Sequence, residues 1–438
     1  MHPSRAIRGR TTRLLDGRRI VIGISGSIAA VEVPKIVREL IRHGAEVQAV
    51  MSPDAARIVT PEAIEFATGH RPVLQLTGNV EHVTLLGPGE GRADLYLIAP
   101  ATANTLAKIA HGIDDTTVTS CASVALGGGV PMIAVPAMHS LMGANPAVRE
   151  SIERLKGWGV EFLYGPSVEG EEKIAGPEEV AAAVLHRLAT GPWHERRVTV
   201  IGGAARESID AVRSVTNESS GATAVALAVQ AYFRGAGVEL WAGALEVPVP
   251  AWIPVRRWRG VADLVSLARA NAPTLAGSSV VLVPAALSDY TLTPRPGKIS
   301  SRDSDHLTLA LRRAPKVLPA LRTLAPAPTR LVAYKLLAGA TAAELERDGR
   351  RLMAETGADW VIANEAATMG ATDTSALVLG PEERRQWLRG PKSEVAGKLL
   401  DDLGRELQNL APATPVPARP AARRARRPGR GRTRPTRR

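Results

Sequence analysis

Twice along this 438-residue chain, a run of β-branched and apolar residues breaks on a small residue and gives way to helical spacing. The first cycle opens with RIVIGIS (19–25) and turns at Gly26-Ser27. Ile36, Val37, Leu40 and Ile41 then recur on one helical face, Gly44 sits where that helix must end, and AEVQAVMS (45–52) returns as a strand. DLYLIAP (94–100), PMIAVPA (131–137) and VEFLYG (160–165) continue the alternation. It restarts at Arg197 with RVTVIGG, an Ala-rich helix over 222–235, GVELWAG (237–243), VVLVPAA (280–286), RLVAYK (330–335) and WVIAN (360–364). Strands alternating with helices predict an α/β fold with a parallel, doubly wound sheet and ligands at the strand C-terminal ends. The restart predicts two such Rossmann-like domains. ATGPWHE (189–195) is the expected boundary, dividing an N-terminal extension (1–18), a first domain (19–190), a second domain (191–410) and a tail (411–438).

A hydrophobic content of 45% with 22% charged residues is globular, and no run approaches the ~18 apolar residues of a membrane span. The basic start has no apolar stretch behind it, so no secretory leader and no membrane partner are expected. The lone cysteine, Cys121, excludes an intrachain disulfide and suits a reducing, cytoplasmic location. The net charge of +12 is concentrated: ten arginines and no acid lie in 411–438, among six prolines. Such a segment cannot bury enough surface to offset its ordering entropy and is expected to be disordered. Two roles stay open for it, a solubilising extension or weak attraction to nucleic acid or another anionic surface.

Four strings in the first half lie at strand ends. They are ISGSIAA (24–30), APATANT (99–105), PAMHSLM (136–142) followed by Asn145-Pro146, and VEHVTL with His82. Taken singly, a small-residue turn or a histidine is commonly a packing feature. Taken together over 19–165, they resemble the flavin-containing cysteine decarboxylases, specifically the phosphopantothenoylcysteine decarboxylases. That resemblance implies a flavodoxin-like domain with FMN held by Gly26, Ser27, Ser52, Ala101, Thr102, Ala103 and Asn104. It gives His82 as the proton-transfer residue and puts His139, where bacterial members carry asparagine, at the substrate carboxylate. The family's flap cysteine has no counterpart in GPSVEGEEKIAGPEEV (165–180), where Lys173 is the nearest donor, and Cys121 reads as a small buried residue. The implied chemistry oxidises the thiol side of the substrate to a thioaldehyde. The carbanion left by carbon dioxide is then delocalised, and the product is reduced again.

In the second half, IGGAARESIDAVRSVTNESSG (201–221) places glycines after a strand, where backbone N–H groups can approach a phosphate. Asp210, Val212, Arg213, Asn217, Ser219, Ser220 and Gly221 give D-x-V-R-x-x-x-N-x-S-S-G. This resembles the nucleotide-dependent ligase that joins 4'-phosphopantothenate to cysteine. By resemblance, Asn217 and Arg213 serve the acyl intermediate and Gly203 belongs to the phosphate cradle. Asp289 and Lys298, in AALSDYTLTPRPGKIS (285–300), bind nucleotide, as do Ala314, Pro315, Lys316 and Val317, and Tyr334 packs near the base or ribose. CTP and Mg²⁺ are implied, with metal ligands unassigned. The family's late lysines are absent, and Arg350 and Arg351 are the cations offered in their place. The expected protein is a bifunctional coenzyme A biosynthesis enzyme acting on 4'-phosphopantothenate, cysteine and CTP. It is expected to be a homo-oligomer, because the flavin half is implied to form trimers and the ligase half dimers. A flavin-binding regulator of protein phosphatases and a flavin prenyltransferase-like protein are the alternatives.

Overall fold

The computed structural model describes residues 2–165, 167–168, 171–300, 306–366 and 371–408, with backbone alone at 167–168 and 171–172. The predicted disorder of 411–438 falls outside these residues.

The first domain is built on five parallel strands: β1 (Arg19–Ile24), β2 (Glu46–Met51), β3 (Leu95–Ala101), β4 (Met132–Pro136) and β5 (Glu161–Phe162). Their spatial order is β2-β1-β3-β4-β5, the flavodoxin-like order, which reverses direction between β1 and β3. β3 and β4 are buried at every position, the near-continuous apolar pattern of a strand covered on both faces. One face packs against the helices Val33–Arg42 and Pro177–Leu188, whose Ile36, Leu40, Val180 and Val184 are fully buried. The other face packs against Ala103–Ala110, Thr117–Gly127 and Pro146–Gly157. Residues 2–18, expected as a separate extension, are joined to this domain, since Leu15 is buried in its core and Ile7 packs against it.

The main sheet of the second domain has eight strands among the described residues: β6 (Arg197–Gly202), β7 (Gly237–Ala242), β8 (Val255–Arg257), β9 (Val280–Val283), β10 (Arg330–Leu337), β11 (Trp360–Glu365), β12 (Asp373–Leu379) and β13 (Arg385–Pro391). The order is β8-β7-β6-β9-β10-β11-β12-β13, parallel through β11 and closed by an antiparallel hairpin. Numbered from its own first strand, the parallel part runs 3-2-1-4-5-6, the dinucleotide-binding order, with its switch point between β6 and β9. Helices Ala222–Phe233 and Lys392–Leu407 cover one face, and Val261–Ala270, Val317–Leu324 and Ala342–Thr356 cover the other. The domains touch through aromatic side chains. His186 stacks on Tyr232 at 4.2 Å between ring centroids, and His43 meets Phe233 edge-on at 5.5 Å. Among the described residues, no helix is long and apolar enough to cross a membrane.

Candidate active sites

In the first domain, three helices begin just past the C-terminal ends of β1, β2 and β3, and each is capped by a hydroxyl. Ser27 accepts from Ala29 N at 3.4 Å, Ser52 from Ala55 N at 3.2 Å, and Thr102 from Thr105 N at 3.2 Å. The converging helix starts favour an anion at the switch point, because their first N–H groups lack intrahelical acceptors. Gly26 permits the close approach of two of these loops: a Cβ there would lie 2.4 Å from the Asp54 Cβ. Ser25 was read from the sequence only as the end of a strand. Its buried hydroxyl donates to Pro100 O at 2.6 Å and accepts from Thr102 N at 3.1 Å, tying the first loop to PATAN. A sequence signal existed, a hydroxyl interrupting an apolar run at the turn, but its partners lie 75 and 77 residues away.

His82 lies on the helix Glu81–Leu86, entered through Val80 in the left-handed region at φ 47°. A β-branched residue there is strained and needs surrounding structure to hold it. The Nδ1 atom of His82 is buried and has no hydrogen-bond partner among the described residues. A buried polar atom without a partner is rare in a finished core and fits a site awaiting a ligand. His139 is exposed and caps the short helix Ser140–Gly143, its Nδ1 accepting from Leu141 N at 3.2 Å. Because Nδ1 accepts, a neutral imidazole carries its proton on Nε2, free to donate outward. The strand Met138–His139 pairs with Glu171–Glu172, which pairs with Ser167–Val168, so the cysteine-free flap lies beside PAMH and exposed Lys173 follows it directly. Asn104 is exposed on the first turn of its helix, and Ala101 and Ala103 are buried. Cys121 is fully buried on the helix Thr117–Gly127, and burial pushes its thiol pKa up to about 12.

The second domain holds a cleft of about 790 Å³ at the C-terminal ends of its strands. It brings together Asn217, Asp289, Ala314, Pro315, Lys316, Val317 and Tyr334, which are 117 residues apart at the extremes of the chain. Gly202 lets the helix Ala222–Phe233 sit against β6, since a Cβ would meet the Ala224 Cβ at 2.1 Å. Gly203 and Gly221 adopt φ of 85° and 74°, a region glycine enters without strain. The Asn217 amide donates from Nδ2 to Ala286 O and Leu287 O, both at 3.1 Å, latching the two loops that face each other across the switch point. The residue at the start of the helix Ala222–Phe233 is Gly221, so Asn217 is not its cap. Asp289 pairs with Lys316 at 3.1 Å, both side chains exposed. Burial holds the Tyr334 hydroxyl well above the usual phenol range.

Arg213, Lys298 and Gly203 do not line the cleft. The Arg213 guanidinium is bound to Asp210 at 2.8 Å and donates to Ile299 O. Asp210 is buried and accepts from Val212 N at 2.8 Å, Arg213 N at 2.7 Å and Ile299 N at 3.1 Å, and these donors hold its carboxyl well below the usual range. The Asp-x-x-Arg part of the motif is therefore a clamp that fixes the 295–299 segment, with Ala211 N on Gly297 O and Arg295 N on Ile209 O at 3.0 and 2.9 Å. No cluster of three or more His, Cys, Asp or Glu side chains suited to a metal occurs among the described residues.

A flavodoxin-ordered domain with a phosphate-favouring switch point, joined to a dinucleotide-ordered domain with a large cleft, defines a two-site α/β enzyme. Residues 8–189 match the family model "Flavoprotein", and residues 193–406 match "DNA/pantothenate metabolism flavoprotein C-terminal domain". The chain is 39% identical over 409 residues, covering 93% of it and all of the relative, to the coenzyme A biosynthesis bifunctional protein CoaBC of Thermococcus kodakarensis. The Methanocaldococcus jannaschii protein of the same name is 35% identical, spanning 74% of this chain and 78% of that one. The Escherichia coli K12 one is 28% identical, spanning 89% and 97%. The chain belongs to this bifunctional coenzyme A biosynthesis family. It is a phosphopantothenoylcysteine decarboxylase and a phosphopantothenate–cysteine ligase, and the flavin-binding regulator reading is not favoured.

Proposed function

We propose that the first domain decarboxylates phosphopantothenoylcysteine at an FMN site, and that the cleft of the second makes this substrate from 4'-phosphopantothenate, cysteine, CTP and Mg²⁺. The observation that supports the assignment most is the set of three hydroxyl-capped helix starts at the ends of β1, β2 and β3, and the buried His82 Nδ1 without a partner among the described residues adds to it. That arrangement fits a phosphorylated cofactor, whose phosphate the loops at Gly26-Ser27, Ser52 and Ala101–Asn104 would hold. FMN, when bound, supplies two-electron oxidation at the substrate's thiol-bearing carbon and returns the electrons once carbon dioxide has left. His82 moves the proton of the thiol. His139 donates from Nε2 to the carboxylate that is lost, and Lys173, directly after the flap strand that pairs with Met138–His139, delivers a proton to the product.

In the cleft, a carboxylate oxygen of 4'-phosphopantothenate attacks the α-phosphorus of CTP and pyrophosphate leaves with the electron pair of the broken P–O bond. The cysteine amine then attacks the acyl carbon and CMP departs. The Asn217 amide holds the acyl nucleotidylate, while Asp289, Lys316 and Tyr334 position the nucleotide. Ligation precedes decarboxylation in a cytoplasmic protein. Ile28, Val31, Leu141 and Met142, at 77%, 48%, 76% and 50% exposure, lie on the two short helices opening at Ser27 and His139. Apolar exposure of that size supports a subunit contact at the flavin site and hence a homo-oligomer. The test is direct: the purified protein should carry flavin absorbance and release carbon dioxide from supplied phosphopantothenoylcysteine without nucleotide. A protein that takes up no flavin on reconstitution would refute the assignment.

A further inference from the structure

The triphosphate chemistry of the cleft needs positive charge; of the cations expected from sequence, Lys298 does not line the cleft, and Lys316, which does, shares its charge with Asp289. Arg350 donates to Gly380 O at 2.9 Å and Arg384 O at 3.0 Å, which commits it to the β12–β13 turn. Arg351 is held by Asp348 at 3.2 Å, with Glu355 at 3.9 Å. Neither arginine lines the cleft. Of the lysines that do, Lys316 is paired with Asp289, and Lys392 donates to Ala371 O at 2.6 Å with burial drawing its ammonium below the ordinary range. Lys335 is different. It is half-buried at the C-terminal end of β10 and lines the cleft, and its side chain makes no hydrogen bond or ion pair with any described residue.

The alternation of β10 also decides which part of the cleft Lys335 serves. Val332 belongs to the core under the helices Ala222–Phe233 and Lys392–Leu407, and Tyr334 packs against it. Leu331 and Ala333 belong to the core under Val317–Leu324 and Ala342–Thr356. Lys335 follows the second set by strand period. It therefore lies on the sheet face that carries the helix Val317–Leu324, beside the segment 314–319. A half-buried ammonium with no internal partner is an open demand for an anion, and it is stronger there than in bulk water because the cleft walls lower the local dielectric.

We propose that Lys335 is the cation that binds the nucleotide triphosphate in the ligase reaction, which rests on the reading of the cleft given above. Its role is to meet the charge that builds on the departing pyrophosphate as the bond between the α-phosphorus and its bridging oxygen breaks and the bond to the pantothenate carboxylate forms. No further reactant is involved. A cation on the leaving group is realised most fully in the transition state, so Lys335 acts on turnover as well as on binding.

The experiment compares wild type, Lys335→Ala, Lys335→Gln and Lys335→Arg. CTP binding is measured by calorimetry without the other substrates, and steady-state pyrophosphate release is measured with each substrate varied in turn. Loss of one charge-assisted contact predicts about tenfold to a hundredfold weaker CTP binding for Ala and Gln. A matching rise in KM for CTP, a lower kcat, an unchanged KM for cysteine and partial recovery with Arg complete the prediction. Decarboxylation of supplied phosphopantothenoylcysteine should not change in any variant and reports that the chain is folded. CTP affinity equal to wild type in Lys335→Ala would overturn the proposal. So would a rise confined to the KM for 4'-phosphopantothenate, which would place Lys335 on that substrate's phosphate instead. A wild type that binds no CTP would overturn the nucleotide reading of the cleft itself.

Discussion

Replacing Asn217 by Asp changes one atom type where the structure makes it matter most. The Nδ2 atom donates to two carbonyl oxygens, Ala286 O and Leu287 O, each at 3.1 Å. In the aspartate variant a carboxylate oxygen faces the same two carbonyls, so two attractions become two repulsions. A typical intramolecular hydrogen bond contributes about 1 kcal/mol net, which gives about 2 kcal/mol lost at the latch, less where water replaces the bonds at this exposed side chain. For a domain of this size, loss of the two bonds corresponds to a fall in Tm of about 4–8 °C, too little to unfold it at room temperature. Loss of an oriented amide from a reacting acyl group costs far more in rate, on the order of a hundredfold or greater. Pyrophosphate release and radiolabelled cysteine incorporation should be followed side by side, with Tm by calorimetry. The expected result is a folded variant whose decarboxylation of supplied phosphopantothenoylcysteine is intact and whose ligation is lost. Ligation at the wild-type rate would refute the assignment of Asn217 to the acyl intermediate.

His82→Ala should abolish carbon dioxide release and leave ligation near normal, so that phosphopantothenoylcysteine accumulates by mass spectrometry. Gly26→Ala forces a Cβ to within 2.4 Å of the Asp54 Cβ, and flavin content per chain should fall sharply while the ligase stays active. Cys121, buried and with its thiol pushed up to about 12, should resist alkylation at neutral pH until the chain is denatured, and Cys121→Ala should decarboxylate normally. The folded pKa of Asp210 is depressed, so its contribution is complete above the unfolded carboxylate value of about 3.9 and is lost as pH falls through the folded value. Asp210→Asn removes that acid dependence and frees the 295–299 segment, so trypsin should cut after Lys298 faster than in wild type.

The central strands were legible because burial on both faces leaves no polar positions. DLYLIAP and PMIAVPA became β3 and β4 almost residue for residue. The edge of the second sheet was not. β8 is three residues long, and β13 carries Arg385 and Arg389 on a largely exposed surface, so neither shows an apolar run. In the first domain, Gly26, Ser27, Ser52 and Thr102 could be located at strand ends because each follows directly on an apolar run. Arg213 marks the boundary of that method. The family resemblance implied a place for it at the acyl intermediate, and its guanidinium is held by Asp210 and by Ile299 O, 86 residues further on. Lys335 was missed for the opposite reason. Its neighbour Tyr334 was expected near the base or ribose, but the lysine itself is singled out only by the commitments of the surrounding cations.

The most direct test of two sites working in sequence is a single incubation of the purified, flavin-loaded protein with 4'-phosphopantothenate, cysteine, CTP and Mg²⁺, sampled by mass spectrometry. One CMP, one pyrophosphate and one carbon dioxide are expected for each 4'-phosphopantetheine formed, with phosphopantothenoylcysteine appearing first and then declining. Formation of phosphopantothenoylcysteine that is never consumed, or release of carbon dioxide with no CMP formed, would contradict two sites working in sequence.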